Sequence, residues 1–173
     1  MKHNLIQGFT LVELLTAMTL FLTVSAIVFG GAASLMRYQE QMIVMQGVFN
    51  DSSYALETMS RFIRMARRDA TGDCITLGRN FENPGSDVTN IRFLDYDGVC
   101  RRFFLEAGQI KEETGSGSVA LTSSNHDINV LSFVIIDEEG KQPRVTIDLR
   151  ISHDSLTNDL SLQTTVSQRN LNL

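Results

Sequence analysis

Gly8-Phe9-Thr10-Leu11-Val12-Glu13-Leu14-Leu15 opens an apolar run that continues to Met36, and the rest of the chain is organised around it. Residues 9–36 are Leu, Val, Ile, Phe, Ala, Met, Gly and small hydroxyl residues, more than the ~20 that a helix needs to cross a bilayer. Glu13 is the single charge among them. A carboxylate placed in hydrocarbon costs several kcal/mol, so an ionisable residue inside such a segment reads as functional and calls for a partner.

With Lys2 ahead of it and the apolar run behind it, this stretch resembles the processing and methylation signal of type IV pilin-like proteins. These are the major and minor pilins, the competence pilins and the pseudopilins of type II secretion systems. The resemblance implies that a prepilin peptidase cuts between Gly8 and Phe9 on the cytoplasmic side and methylates the new amine on Phe9. Glu13 then stands where the family places its assembly glutamate.

Three plainer readings explain less. A secretory signal peptide is cleaved after an apolar region of 7–15 residues, whereas the candidate cut here precedes a longer run. An ordinary single-pass anchor accounts for the hydropathy and leaves Glu13 without a reason. A helix N-terminus favours a carboxylate in its first turn, which fits both readings. Hydrocarbon does not favour it, and a neighbouring subunit's free amine would resolve the conflict.

At 173 residues the chain has room for one modest domain beyond its membrane segment. The formal net charge is −5, and it becomes one unit more negative when Lys2 leaves with the leader. An acidic chain is no obvious binder of nucleic acid. The short flank before the span is positive, which keeps the N-terminus in the cytoplasm and sends the larger part outward.

Beyond Met36 the pattern becomes amphipathic. Val48, Ala55, Met59, Phe62, Ile63 and Ala66 recur near a 3.6-residue period, with Glu40, Asp51, Glu57, Arg61, Arg64 and Arg68 on other faces. The pattern predicts one helix over residues 9–69, roughly 90 Å at 1.5 Å per residue. Gly30-Gly31 is its weak point, because each glycine costs about 1 kcal/mol relative to Ala. It serves either as a bend or as a close-packing site. Thr71-Gly72-Asp73 is the expected stop.

The period then changes. Segments 91–94 and 99–105 flank Asp95-Tyr96-Asp97-Gly98 and read as a hairpin, followed by a short strand at Gln109-Ile110-Lys111. Further strands are expected at 129–136, 144–151 and 160–166, separated by Glu138-Glu139-Gly140-Lys141 and Asp154-Ser155. Long helix followed by consecutive antiparallel strands predicts an α+β fold with a sheet packed on the helix stripe, and it resembles the pilin fold. The segment Leu162-Gln163-Thr164-Thr165-Val166-Ser167-Gln168-Arg169-Asn170 is similar to the endings of minor pilin-like proteins. The expected organisation is a leader at 1–8, a transmembrane and assembly helix at 9–36, its amphipathic continuation at 37–69 and a globular β-rich head at 70–173.

Other chemistries find little support. Cys74 and Cys100 are the chain's two cysteines. In an outward-facing head they are a candidate disulfide worth roughly 3 kcal/mol by loop entropy, with two buried thiols as the alternative. They lack metal-site spacing. Arg61, Arg64, Arg67 and Arg68 offer contacts to phosphate of DNA or lipid, yet also suit a solvated face near the negative end of the helix dipole. Asp95, Asp97 and Asp137-Glu138-Glu139 lack EF-hand spacing. Gly115-Ser116-Gly117-Ser118 reads as a flexible linker, with no Lys-Ser/Thr pair following it. His126 and His153 form no triad with the Ser and Asp residues near them.

The sequence is therefore read as a non-enzymatic subunit of a type IV pilus or type II secretion pseudopilus, a minor one, without cofactor, metal or catalytic residue. Its implied partners are prepilin peptidase, other pilin or pseudopilin subunits, the membrane and the inner-membrane assembly platform. It is expected in the bacterial cytoplasmic membrane, head outward, and then in an extracytoplasmic filament. The competing readings are a single-pass adhesin or sensor that never polymerises and, more remotely, a membrane-tethered enzyme.

Overall fold

The computed structural model describes residues 9–125, 127–138, 141–152 and 159–169. The chain forms two compact units, Met1–Ile43 and Val44–Leu173. Helix α1, Leu11–Arg64, supplies the described helix of the first unit and the first element of the second.

In the first unit the apolar side chains of α1, among them Leu15, Phe21, Val28 and Phe29, are exposed on every side. The most apolar window has a mean hydropathy of 2.1, and α1 is long and apolar enough to cross a membrane. Its threonines do not contradict that. The hydroxyls of Thr16, Thr19 and Thr23 donate to the carbonyls of Glu13, Thr16 and Leu20 at 2.9, 2.9 and 2.8 Å. Paired in this way, they need no water. The helix runs through Gly30-Gly31. A Cβ on either glycine would meet nothing within 4 Å, so neither is required for a close approach within this chain.

In the second unit α1 buries one stripe. Val48, Ala55, Met59, Ile63 and, just past its end, Ala66 are at most 1% exposed, while Phe62 is half-buried. Ser52 lies on the same stripe and spends its hydroxyl on the carbonyl of Val48.

The helix stops at Arg64, short of the expected residue 69. No glycine or proline marks this point. Tertiary contacts end it instead: Arg169 N–H donates to the Arg64 carbonyl at 2.7 Å, and Gln168 Nε2 donates to that of Ala66 at 2.6 Å. Arg67 N–H then donates to Leu94 at 2.8 Å, drawing the backbone into a bridge with the first strand.

Strands β1 Asn90–Leu94, β2 Cys100–Glu106, β3 Gln109–Thr114 and β4 Gly117–Ala120 form an antiparallel sheet in that order. Strands β5 Asp127–Ile136, β6 Arg144–Ser152 and β7 Leu160–Ser167 form a second. The head thus has two sheets where the sequence suggested one. The linker reading of residues 115–118 is also corrected. Gly115-Ser116 is a two-residue hairpin loop, and Gly117-Ser118 begins β4, paired in register with Thr114 and Glu113. The segments at 139–140 and 154–155 lie outside the described residues.

One long N-terminal helix followed by antiparallel sheets is the α+β, pilin-like order. Alternation explains the packing: Val145, Ile147, Leu149 and Ile151 of β6 are buried, with exposed or half-buried residues between them. Phe93 sits at the centre, its ring centroid 6.0 Å from Phe81 and 5.8 Å from Phe103, and all three are fully buried. Phe93→Ala should therefore cost about 3–5 kcal/mol of head stability. Denaturant unfolding of the full chain in detergent, followed by aromatic fluorescence or near-ultraviolet dichroism, checks this.

Candidate functional site

The first turn of α1 is built by Thr10. Its hydroxyl oxygen accepts the Glu13 N–H at 3.2 Å and its carbonyl accepts Leu14 N–H at 3.1 Å, which makes it the N-cap. Thr10-Leu11-Val12-Glu13 has the spacing of a capping box, a signal present in the sequence that gives Thr10 a positioning role. Phe9 precedes the cap with 81% exposure. Gly8 and Lys2 lie outside the described residues. Glu13 is exposed in the first turn, and among the described residues no cation pairs with it.

Residues 4–29 match the family model described as the prokaryotic N-terminal methylation motif. No curated protein and no solved structure matches the chain significantly. The motif is typical of type IV pilins and pseudopilins, and here it runs into the long apolar helix of an α+β, pilin-like arrangement. It indicates a family of structural subunits, processed by prepilin peptidase, assembled with other pilins and anchored in a membrane.

Elsewhere the polar residues organise the fold. After α1, the buried Asp69 carboxylate gathers the backbone around itself. One oxygen accepts the N–H groups of Thr71 and Gly72 at 3.0 and 2.8 Å and the Thr71 hydroxyl at 3.1 Å. The other accepts those of Cys74 and Ile75 at 2.9 and 3.0 Å. The Ile75 and Cys74 amides hold this carboxyl far below its ordinary value of 3.8, joined by those of Gly72 and Thr71 and outweighing the opposing effect of burial. Thr71-Gly72-Asp73, expected as a helix stop, is thus part of an Asp69-centred loop. The signal was Asp-Ala-Thr-Gly, an Asx-type turn. Cys74 in this loop is joined to Cys100 at the start of β2, with Cα atoms 5.4 Å apart.

Asp95 is likewise interior. Its side chain accepts the Asp97 and Val99 N–H groups at 3.0 and 2.9 Å and pairs with Arg101 at 2.8 Å. Arg101 also pairs with Glu112, and its guanidinium lies 3.7 Å from the Phe62 ring centroid. This chain of contacts ties the β1–β2 hairpin to α1. Asp97 is exposed in the turn, and Asp137 receives Asn80. Among the described residues no group of three or more His, Cys, Asp or Glu side chains is placed to hold a metal. His126, His153 and Glu139 lie outside the described residues.

All four arginines near the end of α1 are exposed. Arg61 and Arg64 are exposed on the last turn. Arg67 is held by its backbone bridge, and Arg68 Nε donates to the Gly78 carbonyl at 2.7 Å, closing the Asp69 loop.

Two predictions come from this loop. Because the Asp69 carboxyl is depressed in the folded state, its stabilisation is complete above the ordinary carboxylate range. As pH falls below about 3.8 the unfolded chain takes up the proton first, and the contribution is lost on the way down to the folded value. Asp69→Asn should flatten that acid limb in unfolding curves taken from pH 6 to 2. Peptide mass analysis without reductant, on protein from its native compartment, should join Cys74 to Cys100, and Cys100→Ala should lower stability by roughly 3 kcal/mol.

Proposed function

We propose that this chain is a non-enzymatic structural subunit of a type IV pilus or type II secretion pseudopilus, a minor one, extracted from the membrane into a filament through α1. The observation that carries this reading is the methylation motif over residues 4–29, set so that Phe9 stands just ahead of α1 and Glu13 in its first turn. The similarity of residues 162–170 to minor-subunit endings supports the minor role.

The chemistry follows from those positions. Prepilin peptidase hydrolyses the Gly8–Phe9 bond at the cytoplasmic face, and the released amine of Phe9 is methylated and remains cationic. Glu13 is then a carboxylate in a dry medium, where leaving one charge unpaired costs several kcal/mol. The amine of a neighbouring subunit removes that penalty. Apolar packing of the exposed α1 surface supplies the cohesion, and the pair supplies register, because a misplaced neighbour leaves a charge uncompensated. Before assembly the chain is a single-pass protein of the bacterial cytoplasmic membrane with its N-terminus inside and its head outside. The inner-membrane platform lifts it into the filament.

Intact-mass measurement on native membranes should find a mature chain beginning at Phe9 and carrying one methyl group, and a bulky replacement of Gly8 should preserve the longer form. A chain still starting at Met1 would refute the processing.

Glu13→Val separates the subunit from a plain anchor. It should leave insertion and processing intact while lowering the assembled share at least tenfold, which corresponds to about 1.4 kcal/mol. An unchanged ratio of assembled to processed chain would favour the anchor.

A further inference from the structure

Backbone contacts gather six arginines at one end of the second unit. Arg61 and Arg64 stand on the last turn of α1, and Arg67 and Arg68 follow directly. Arg169 joins them because its N–H donates to the Arg64 carbonyl at 2.7 Å. Arg79 joins them because its carbonyl accepts the Asp69 N–H at 3.0 Å, while Arg68 Nε donates to the neighbouring Gly78 carbonyl at 2.7 Å. All six side chains are exposed. Among the described residues the ion pairs are made by Arg101, Arg102, Lys111 and Lys141, and none uses any of the six.

Like charges brought together repel, so such a grouping calls for a cause. The negative end of the helix dipole favours Arg61 and Arg64 in the last turn. It does not account for Arg79 and Arg169, which other parts of the chain deliver to the same place. Of the four acids within residues 57–82, Asp69 is spent on backbone amides and Glu82 on Thr76, which leaves exposed Glu57 and Asp73 against the arginines. The type and number of the cations select the anion. Every one is arginine, whose planar guanidinium forks onto two phosphate oxygens. Six of them match an anion charged at close and regular intervals, and duplex DNA carries one phosphate charge per about 1.7 Å of its axis. A protein surface instead intersperses both signs. The anchoring segment joins the unit at Val44, about 30 Å along α1 from Arg64, so the arginines stand away from its point of attachment.

We propose that this end of the head binds duplex DNA through its phosphates, without regard to base sequence. The formal net charge of −5 does not prevent it, because at physiological salt charges more than about 8 Å away are largely screened and the local array decides. The site goes beyond the filament-subunit reading and uses neither Phe9, Glu13 nor assembly.

The test is made on the full chain in non-ionic detergent, titrated into a labelled DNA duplex and followed by fluorescence anisotropy. Affinity should fall at least a hundredfold between about 50 and 200 mM salt, the loss expected when four or more counterions are released. Arg64→Gln combined with Arg169→Gln removes two cations that only the fold brings together, and should weaken binding about tenfold or more and reduce the logarithmic salt slope by about 2. The same positions changed to Lys should keep the slope. Arg150→Gln, exposed near the other end of β6 from Arg144, should change neither. Thermal unfolding is compared for each variant, and Arg61→Gln with Arg64→Gln replaces a pair that unfolds. Neither polyglutamate nor phosphatidylglycerol, added at the same charge as the duplex, should displace it. Displacement by either assigns this end to acidic protein or to lipid and overturns the DNA site. No binding, or a salt slope that the paired substitution leaves unchanged, overturns it as well.

Discussion

Burial of a single stripe of α1 beneath the sheets is the constraint from which the head follows. Val48, Ala55, Met59 and Ile63 face one way and are withdrawn from water. The buried rings of Phe81, Phe93 and Phe103 and the apolar faces of β5 and β6 complete the same core. That stripe fixes where the sheets lie, and the sheets in turn fix where the helix stops. The same helix obeys a different rule over its earlier residues, where apolar side chains surround it and every described threonine hydroxyl in the run is satisfied locally. One continuous element thus answers to two environments, and the change from uniform to one-sided hydropathy marks the transition.

The polar interior consists largely of groups that organise backbone. Asp69 and Asp95 each collect amides from the residues that follow them, which gives segments lacking helix or strand a reason to adopt one shape. Arg101 extends this organisation across the core by lying over Phe62 while pairing with Asp95 and Glu112. Removing one member would strand a partly buried charge, so such a cluster specifies one arrangement more than it adds stability.

Periodicity made most of this legible in the sequence. The helix stripe and the strands at 91–94, 99–105, 129–136, 144–151 and 160–166 were readable because burial on one face imposes a 3.6- or 2-residue rhythm. The methylation motif that residues 4–29 match was readable because a Gly-Phe junction opens an apolar run carrying a lone charge. Most of what escaped lacked local signals. The helix end at Arg64 is set by Gln168 and Arg169, more than a hundred residues away. β4 is short, and its Gly-Ser composition resembles a linker. The split into two sheets depends on pairing partners, which alternation does not encode. Asp69 was hidden among surface acids, although Asp-Ala-Thr-Gly could have revealed its turn.

The contact between Gln168 and Ala66 spans 102 residues of sequence. A ribosome makes the chain from the N-terminus, so the Ala66 carbonyl waits for the residue 102 positions further on before it is capped. The loop-closure entropy for that junction falls due late, after the local hairpins β1–β2 and β2–β3 can already have formed. Folding of the head is therefore completed at its seam, and a chain stalled or truncated a few residues short keeps its hairpins but loses the clasp that seats them on the helix.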